Sequence, residues 1–568
     1  MNIVAADLRR SIPNERMMNK PAIPGPEDGM PRRYAMLIFA ISLLSFAAFT
    51  VGRQFHGLET RFVFFVQEMQ RTGFTWYPHT NFGPYPDYPG TFTWLIYALT
   101  HAGGELTPTL AILPSAVASA ATLALVWLIG CRHSKAWGAL GVLALASTIE
   151  FQMHARAVSP DPLVMFLASC NFYLALKALL NDRAPFNTAM LLVVFLAVSV
   201  RGPIGGVVCT GVVCAVFLVS RQWKRFLLFG TSALIVIVGA YLVWLYLAYL
   251  EGGRAFVERV LDWQVIGRLG HTEKDSALGT YVLGAMGNYA IAYPLAVVAA
   301  ISAWRHRDRL SARERTMLLC VGAWILVILI GMSLPYTKKT RYLLPAAPGL
   351  ALAAGALFLE KPGICSDVCL KVTRFLLAVF PAALLLVMIV LRVWPDMDIV
   401  AQLHLRPNLT VSIALVSIPA ALSIWAITGS SPKYRSWTVL VCCMISIFAV
   451  KVSLLEPGQD RKWPSAAFVS SVELSRQAAP VASPLVFVGL GPDNQDLNYL
   501  VAAKSAERPE YLLRPRDVNA IAMPATVIIR QKAFDEFTSV CNRNWKEIAR
   551  GKLGHTEVVA FQLSDSGG

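Results

Sequence analysis

Three carboxylates and a set of cations lie in polar segments of an otherwise apolar chain, and together they have the chemistry for group transfer from a phosphate. A carboxylate can accept the proton of an attacking hydroxyl as a general base, and Glu59, Asp87 and Asp161 are the candidates. Cations hold a phosphate and stabilise the negative charge with which it leaves. Arginine does so through two parallel hydrogen bonds and lysine as a point charge. The candidate phosphate ligands are Arg61, Arg201, Lys338, Lys339, Arg341 and the neighbouring Tyr342.

Each of these residues also has an ordinary structural interpretation, which the sequence leaves open. Glu59 begins a helical pattern, where the helix dipole favours an acid. Asp87 lies between prolines, as turn residues do, and Asp161 in Ser-Pro-Asp-Pro is a common helix start. Lys338 and Lys339 could extend toward lipid headgroups. A charge at the mouth of an apolar run is costly to bury, however, and this favours a functional role for Asp161.

Most of the elements that must position these residues are predicted to be membrane helices. Of the 568 residues, 55% are hydrophobic and 15% are charged, and the mean hydropathy is +0.52. A soluble domain needs more polar surface, so the bilayer is the expected solvent. Much of the net charge of +16 lies in short basic clusters between apolar runs, as the positive-inside rule predicts. No aromatic and basic platform is evident, so nucleic acid is not an expected partner.

About thirteen apolar runs could cross a bilayer as helices. The basic pair Arg32-Arg33 before the first run predicts a cytoplasmic N-terminus. An odd number of crossings then places the C-terminal segment in the periplasm, and the basic turns agree. Residues 53–108 are too interrupted to cross, but 59–71 and 91–101 predict interfacial amphipathic helices. Around Gly202, a re-entrant pair is an alternative to two short spans. The expected spans are 34–51, 109–130, 137–154, 163–180, 186–200, 204–220, 226–250, 279–304, 316–334, 343–359, 374–394, 411–428 and 437–455.

The last part of the chain, residues 456–568, differs in composition from the apolar runs. It has more charge and proline, and short apolar runs at 484–489 and 526–530 alternate with a helical pattern at 465–477. This alternation predicts a small α/β domain outside the membrane. The sequence therefore predicts three parts, which are a cytoplasmic tail (1–33), an all-α polytopic membrane domain (34–455) and the periplasmic α/β domain (456–568).

The order of the polar motifs resembles that of the GT-C membrane glycosyltransferases. The similarity is greatest to the branch that contains the lipid A aminoarabinose transferases and the protein O-mannosyltransferases, and it covers residues 1–355. Each motif is short and weak alone, but all occur in the same order and on the same expected side of the membrane. The motifs are Glu59 with Arg61, Tyr85-Pro-Asp-Tyr-Pro89, Leu113-Pro-Ser115, Asp161 at the start of a span, Gly202-Pro203, and Lys338 to Pro345.

The resemblance implies an inverting transferase whose donor is a polyprenyl-phosphate sugar. The cations named above would then hold the donor phosphate, one of the three acids would serve as the base, and Tyr85 and Tyr88 would contact the acceptor or shape the loop. A candidate divalent-metal site would fall on Asp87 and His271.

Two positions depart from the family. Leu58 stands where the family has its first acid, and Tyr88 stands where it has a lysine. Either the base role has moved to another acid, or the acceptor differs, or activity is lost.

We therefore predict a glycosyltransferase of the bacterial inner membrane. Its acceptor is expected to be lipid A or another envelope glycan, with a secreted protein as the second choice. The alternative, from another class, is a transporter of lipid-linked sugars or a non-catalytic membrane protein that binds lipid phosphate. A transporter should show internal repeats and acids near the middle of its spans, and the sequence shows neither.

Overall fold

The structure is a computed structural model. It describes residues 30–50, 53–80, 83–180, 187–267, 281–335, 338–359, 367–394, 406–429, 432–462, 465–477, 483–490, 509–512, 514–521, 523–554 and 556–564. A long helical part precedes a small part that contains a five-stranded sheet, so the predicted fold class is confirmed. The exact boundary at residue 456 stays a prediction. His271 and most of the expected N-terminal tail lie outside the described residues.

A helix lies at each of the expected spans. Within the described ranges, seven helices are long and apolar enough to cross a membrane, or eight if one bent pair counts as a single span. Because other helices are shorter, the number of crossings stays a prediction. The helices up to residue 219 are α1 (Met30–Ala47), α2 (Leu58–Thr72), α3 (Thr91–Gly103), α4 (Pro108–Cys131), α5 (Lys135–Ala146), α6 (Ile149–Ala155), α7 (Asp161–Leu180), α8 (Asn187–Arg201) and α9 (Pro203–Val219).

The helices after residue 219 continue the bundle and then enter the C-terminal part. Two of the expected spans are not single α-helices. The span 279–304 contains two helices, Gly284–Asn288 and Ala292–Arg305, and the span 343–359 begins within a 3₁₀ helix at Thr340–Ala346. The helices are α10 (Trp223–Leu261), α11 (Gly284–Asn288), α12 (Ala292–Arg305), α13 (Ala312–Ser333), α14 (Ala347–Ala356), α15 (Asp367–Val393), α16 (Arg406–Thr428), α17 (Pro432–Val450), α18 (Glu456–Lys462), α19 (Ser465–Gln477) and α20 (Phe534–Val540).

The two predicted amphipathic helices between the first spans are present as α2 and α3. The apolar face of α2 is buried in the protein itself, with Phe62, Phe65 and Val66 almost fully inaccessible. Burial of each such side chain contributes about 1.5–3 kcal/mol. The ring of Phe62 packs edge-on at 5.1 Å against both Phe92 of α3 and Tyr88. A short ribbon of β1 (His79–Thr80) and β2 (Gly83–Pro84) leads into the segment that contains Asp87.

Three breaks in the helices shape the end of the bundle where the candidate residues lie. The axes of α5 and α6 meet at 74°, so the expected span 137–154 is bent rather than continuous. A single residue, Gly202, joins α8 to α9 with φ of 69°, a conformation that glycine adopts without strain. Helix α10 breaks at Gly252 and Gly253, then continues through Leu261 into a π-helix at Asp262–Ile266. Such π-helical turns are frequent at functional sites.

The C-terminal sheet has the strand order β4-β3-β5-β7-β6. Strand β3 pairs in parallel with β4 and β5, whereas β7 pairs antiparallel with β5 and β6. Alternate side chains of β3 enter two separate apolar cores, as expected for a sheet covered on both faces. The strands are β3 (Leu485–Val488), β4 (Glu510–Leu512), β5 (Ala525–Arg530), β6 (Asn544–Leu553) and β7 (Thr556–Ser564).

Candidate active site

Asp161, the first residue of α7, lies between two arginines from distant parts of the chain. Its Oδ1 is 3.6 Å from Nε of Arg201, the last residue of α8, and its Oδ2 is 3.5 Å from Nε of Arg341. Only 9% of the Asp161 side chain is exposed. A buried carboxylate requires such partners. Because both distances exceed the 2.7–2.9 Å of tight charge-assisted hydrogen bonds, the guanidinium groups keep capacity for a further anion.

The Arg201 guanidinium has a donor atom that the protein leaves unused. The residue is only 7% exposed, and its Nη1 has no hydrogen-bond partner in the part of the chain that the structure describes. A buried donor without a partner costs about 1–3 kcal/mol. This donor is therefore available to an anion or a water molecule that enters the cavity.

A cavity connects these charges to an apolar wall. It encloses about 370 Å³, its open mouth included. One end is polar, and the remaining wall comes from α7, α9, α13 and the 3₁₀ helix before α14. The lining thus brings two cationic groups and an apolar wall together at one opening. The polar lining residues are Asp161, Arg201, Arg341 and Tyr342, and the others are Val164, Ile204, Gly205, Val208, Met332 and Pro345.

The segment with the two tyrosines lies against the same arginine. The guanidinium carbon of Arg201 is 4.4 Å from the centre of the Tyr88 ring. The Tyr88 ring in turn lies nearly parallel to that of Tyr85, with 6.4 Å between their centres. Arg61 lies over Tyr85 at 5.3 Å, and its Nη1 is 4.0 Å from Oδ2 of Asp87. Asp87, Asp161 and three candidate cations therefore belong to one connected group.

Tyr88 is an uncharged member of this group. Burial raises the pKa of Tyr88 to about 12, with Asp87 and Asp161 acting in the same direction and Arg201 and Arg341 opposing them. The phenol therefore keeps its proton at physiological pH and can serve as a ring contact or a hydrogen-bond donor, but not as a base.

A buried serine explains why the Leu113-Pro-Ser115 motif accompanies Asp161. The Ser115 hydroxyl donates to the carbonyl of Ser159 at 2.8 Å and accepts from its N–H at 3.3 Å. The Ser159 hydroxyl then donates to Oδ2 of Asp161 at 3.2 Å. The motif fixes the turn that presents the carboxylate to the arginines.

Glu59 lies in a neighbouring cluster rather than among the contacts of Asp161. Its two oxygens accept from Nη2 of Arg53 at 2.7 and 2.8 Å, and Oε1 also accepts from the N–H of Val158 at 3.0 Å. Burial alone would lower the pKa of Arg53, but Glu59 and Glu456 raise it above its usual value. The carboxylate of Glu59 thus ties the start of α2 to the turn before Asp161.

The same turn carries a fully buried arginine that sequence reasoning overlooked. Arg156 has no exposed surface, and its Nε and Nη2 each donate to Glu456 at 3.0 Å. Its Nη1 donates to the carbonyls of Phe46 and Ala48 at the end of α1. In the sequence, Arg156 and Glu456 are charged residues that each lie at the end of an apolar run. Which charged residues pair with each other depends on the fold.

The two lysines of the Lys338-to-Pro345 motif lie apart from the cavity lining. Lys339 is exposed, and its backbone exchanges hydrogen bonds with the hydroxyl of Tyr281. Lys338 is half-buried. Of this motif, Arg341 and Tyr342 are the residues that line the cavity, so phosphate binding by the two lysines stays a prediction.

The candidate metal site cannot be assembled from the described residues. Among them, no three His, Cys, Asp or Glu side chains come together as a metal site requires. Asp87 lies near the cationic Arg61, which disfavours a second cation there. Since His271 lies outside the described residues, the metal stays a prediction.

Gln264, in the π-helix after α10, is a further polar residue of the site that the sequence did not reveal. Its Nε2 donates to the carbonyl of Pro86 at 2.7 Å, directly before Asp87. A lone glutamine in a segment without a pattern gives no signal in the sequence.

Comparisons with known proteins identify the fold. No model of a known protein family and no curated protein matches the chain. The crystal structure of ArnT from Cupriavidus metallidurans in the apo state matches with a TM-score of 0.67 and 16% identity, over 93% of this chain and 98% of that one. ArnT bound to undecaprenyl phosphate matches over the same shares with a TM-score of 0.66 and 15% identity. The chain therefore shares the fold of ArnT along nearly its whole length.

Proposed function

We propose that the chain is a membrane glycosyltransferase that takes its sugar from a polyprenyl-phosphate donor. The observation that carries this proposal is the cavity, because a buried arginine with an unused donor atom lies at one end of an apolar wall. The phosphate of the donor would contact Arg201 and Arg341, and the prenyl chain would follow the apolar side. ArnT, which shares the fold, has been solved with undecaprenyl phosphate bound, and this supports the donor class.

In the proposed reaction, an acceptor hydroxyl attacks the anomeric carbon of the sugar from the side opposite the phosphate. The new glycosidic bond forms as the bond from the anomeric carbon to the phosphate oxygen breaks. The electron pair leaves with the lipid phosphate, whose charge the arginines stabilise. The hydroxyl proton passes to a carboxylate.

Asp87 is the acid that we propose for the base. Asp87 lies beside Arg61 in the connected group that includes Arg201, whereas the oxygens of Asp161 face two arginines and those of Glu59 accept short hydrogen bonds from Arg53 and Val158. We assign Asp161 and Glu59 to positioning the arginines and the turn. Lys338 and Lys339 would attract the donor at the mouth of the site.

The acceptor would reach the site from the outer face of the inner membrane. In this arrangement the N-terminus is cytoplasmic, and the α/β domain lies in the periplasm beside the acceptor entrance. Lipid A or another envelope glycan is the proposed acceptor, and a secreted protein is the second choice. The pairing of the end of α1 with Glu456 through Arg156 supports a fixed position for the segment that leads into this domain.

Leu58 favours a second candidate, a protein that binds lipid phosphate without transferring the sugar. Leu58 packs in the apolar cluster of α2 and α3 at the position where the resembling family has an acid. If no other acid has taken over the base role, binding would persist without turnover.

Sugar transfer in reconstituted vesicles tests the proposal. The protein is supplied with a panel of polyprenyl-phosphate sugars and with lipid A, and the variants Asp87→Asn, Asp161→Asn and Glu59→Gln are compared with wild type. We expect Asp87→Asn to lose about 10²–10⁴ in turnover, the contribution of general base catalysis, while it still binds undecaprenyl phosphate. Wild-type turnover in all three variants would exclude the transferase mechanism. Binding without transfer by the wild-type protein across several acceptors would favour the second candidate.

A further inference from the structure

Gln264 combines burial with an unused hydrogen-bonding atom. It is only 8% exposed. Because its Nε2 donates to the Pro86 carbonyl, and only the nitrogen of the amide can donate, the positions of the two amide atoms are fixed by this contact. The remaining atom, Oε1, has no hydrogen-bond partner among the residues that the structure describes.

The geometry places this oxygen at the edge of the candidate active site, against the turn that follows Arg201. A Cβ atom added to Gly202 would lie 2.7 Å from Oε1, so the amide packs directly on the turn that follows Arg201. The preceding residue, Trp263, lies edge-on to Tyr85 at 5.8 Å. The oxygen therefore lies between the end of α8 and the segment that contains Asp87.

Two buried atoms without a hydrogen-bond partner, one a donor and one an acceptor, thus lie on neighbouring elements of the described structure. Nη1 of Arg201 is a buried donor and Oε1 of Gln264 is a buried acceptor, and neither has a partner in the described part of the chain. Each costs about 1–3 kcal/mol when left unsatisfied. A ligand that complements both carries an anionic oxygen and a hydroxyl that can donate. A sugar linked through its anomeric oxygen to a phosphate has both groups.

We propose that Gln264 is a specificity-determining residue that accepts a hydrogen bond from a hydroxyl group of the donor's sugar. The inference rests on the proposed function and adds a recognition site for the sugar itself. Because the same amide holds the carbonyl of Pro86, sugar binding at Oε1 also fixes the turn that carries Asp87. A site built to bond a hydroxyl rejects ligands that lack it.

The test compares two probes, undecaprenyl phosphate alone and the undecaprenyl-phosphate sugar that wild type binds most tightly. In Gln264→Met the side chain keeps its length but loses both hydrogen-bonding functions. We expect its affinity for undecaprenyl phosphate to stay within about twofold of wild type, while its affinity for the sugar-bearing probe falls about tenfold, the size of one hydrogen bond to a buried group. Gln70→Leu, on the exposed side of α2, is the matched control.

A second variant distinguishes loss of the acceptor oxygen from a general loss of structure. Gln264→Glu keeps acceptor oxygens but loses the donor to Pro86, and its added charge affects both probes through their common phosphate. We expect the ratio of the affinity for the sugar-bearing probe to that for undecaprenyl phosphate to stay at or above the wild-type value in Gln264→Glu and to fall about tenfold in Gln264→Met.

An equal loss for both probes in Gln264→Met would show that the glutamine only supports Arg201. Wild-type affinity for both probes would show that Oε1 makes no contact with the sugar, and either result overturns the proposal. Failure of wild type to bind undecaprenyl phosphate at all would instead refute the proposed function on which the inference rests.

Discussion

The guanidinium carbon of Arg201 lies 4.4 Å from the centre of the Tyr88 ring. This contact joins the first polar segment of the chain to the end of α8. A desolvated cation over an aromatic ring gains about 2 kcal/mol, and Asp161 neutralises the same guanidinium from another side. Arg201 is therefore held in place by a ring and a carboxylate, which leaves Nη1 available. Such preorganisation lowers the cost of binding an anion.

Replacement of Arg201 by glutamine should weaken binding of undecaprenyl phosphate at least tenfold. A charge-assisted hydrogen bond to a buried group contributes about 1.5–3 kcal/mol, and 1.4 kcal/mol corresponds to a factor of ten. The measurement is equilibrium binding in lipid nanodiscs. The control is Arg254→Gln, since Arg254 is 89% exposed and pairs with Glu258 on the surface. Equal affinities of Arg201→Gln and wild type would remove the arginine from the binding site.

Asp161→Asn should lower the melting temperature of the ligand-free protein. It should also increase the rise in melting temperature that undecaprenyl phosphate causes. The substitution removes the negative charge between Arg201 and Arg341, so the two guanidinium groups repel each other without compensation. A bound phosphate would replace the lost charge. We expect a melting temperature several degrees lower without ligand, and a larger increase on addition of undecaprenyl phosphate than in wild type. An increase smaller than that of wild type would contradict a phosphate position between the arginines.

Glu456→Gln should be strongly destabilising, although Glu456 lies outside the cavity. The change leaves the fully buried Arg156 without its carboxylate partner, and breaking a buried pair in this way costs about 3–5 kcal/mol. Thermal unfolding in detergent is the measurement, with Glu258→Gln as the exposed control. The double variant Arg156→Met, Glu456→Leu should recover part of the loss, because the buried charge of Arg156 is removed together with its partner, and only the longer contact of Glu456 with Lys451 at 3.8 Å stays broken. A melting temperature for Glu456→Gln equal to that of wild type would show that the pair does not brace the fold.

Tyr88→Phe should leave the shape of the pH–rate profile unchanged between pH 6 and pH 9. Because burial raises the pKa of Tyr88 to about 12, the phenol keeps its proton throughout this range and contributes no titration. The ring that contacts Arg201 is retained in phenylalanine. A profile recorded for sugar transfer by both proteins checks this, and loss of one limb in the variant would show that Tyr88 titrates during turnover.

Periodicity and composition were sufficient to predict the helices, because each helix needs only its own apolar residues to be recognised. The pattern at residues 59–71 predicted α2, and the apolar run at 526–530 predicted β5. The breaks were harder to predict. The bend between α5 and α6 and the π-helix after α10 depend on packing between segments far apart in the sequence.

For the site, the sequence likewise predicted which residue types take part, but not which residues contact one another. Asp161, Arg201 and Arg341 were predicted from their chemistry and motif order, and they lie together. Glu59 matched a motif equally well, yet its carboxylate is engaged by Arg53, a partner that no spacing indicates. Gln264 follows a helix break at Gly252 and Gly253 and contacts the carbonyl of Pro86, a partner that no spacing indicates.

A structure of the protein determined with undecaprenyl phosphate would test the central claim most directly. The account predicts that a phosphate oxygen lies within about 3 Å of Nη1 of Arg201, that Arg341 contacts the same phosphate, and that the prenyl chain follows the wall formed by Val164, Val208 and Met332. A phosphate bound at another surface, with Nη1 of Arg201 still unpartnered, would contradict it.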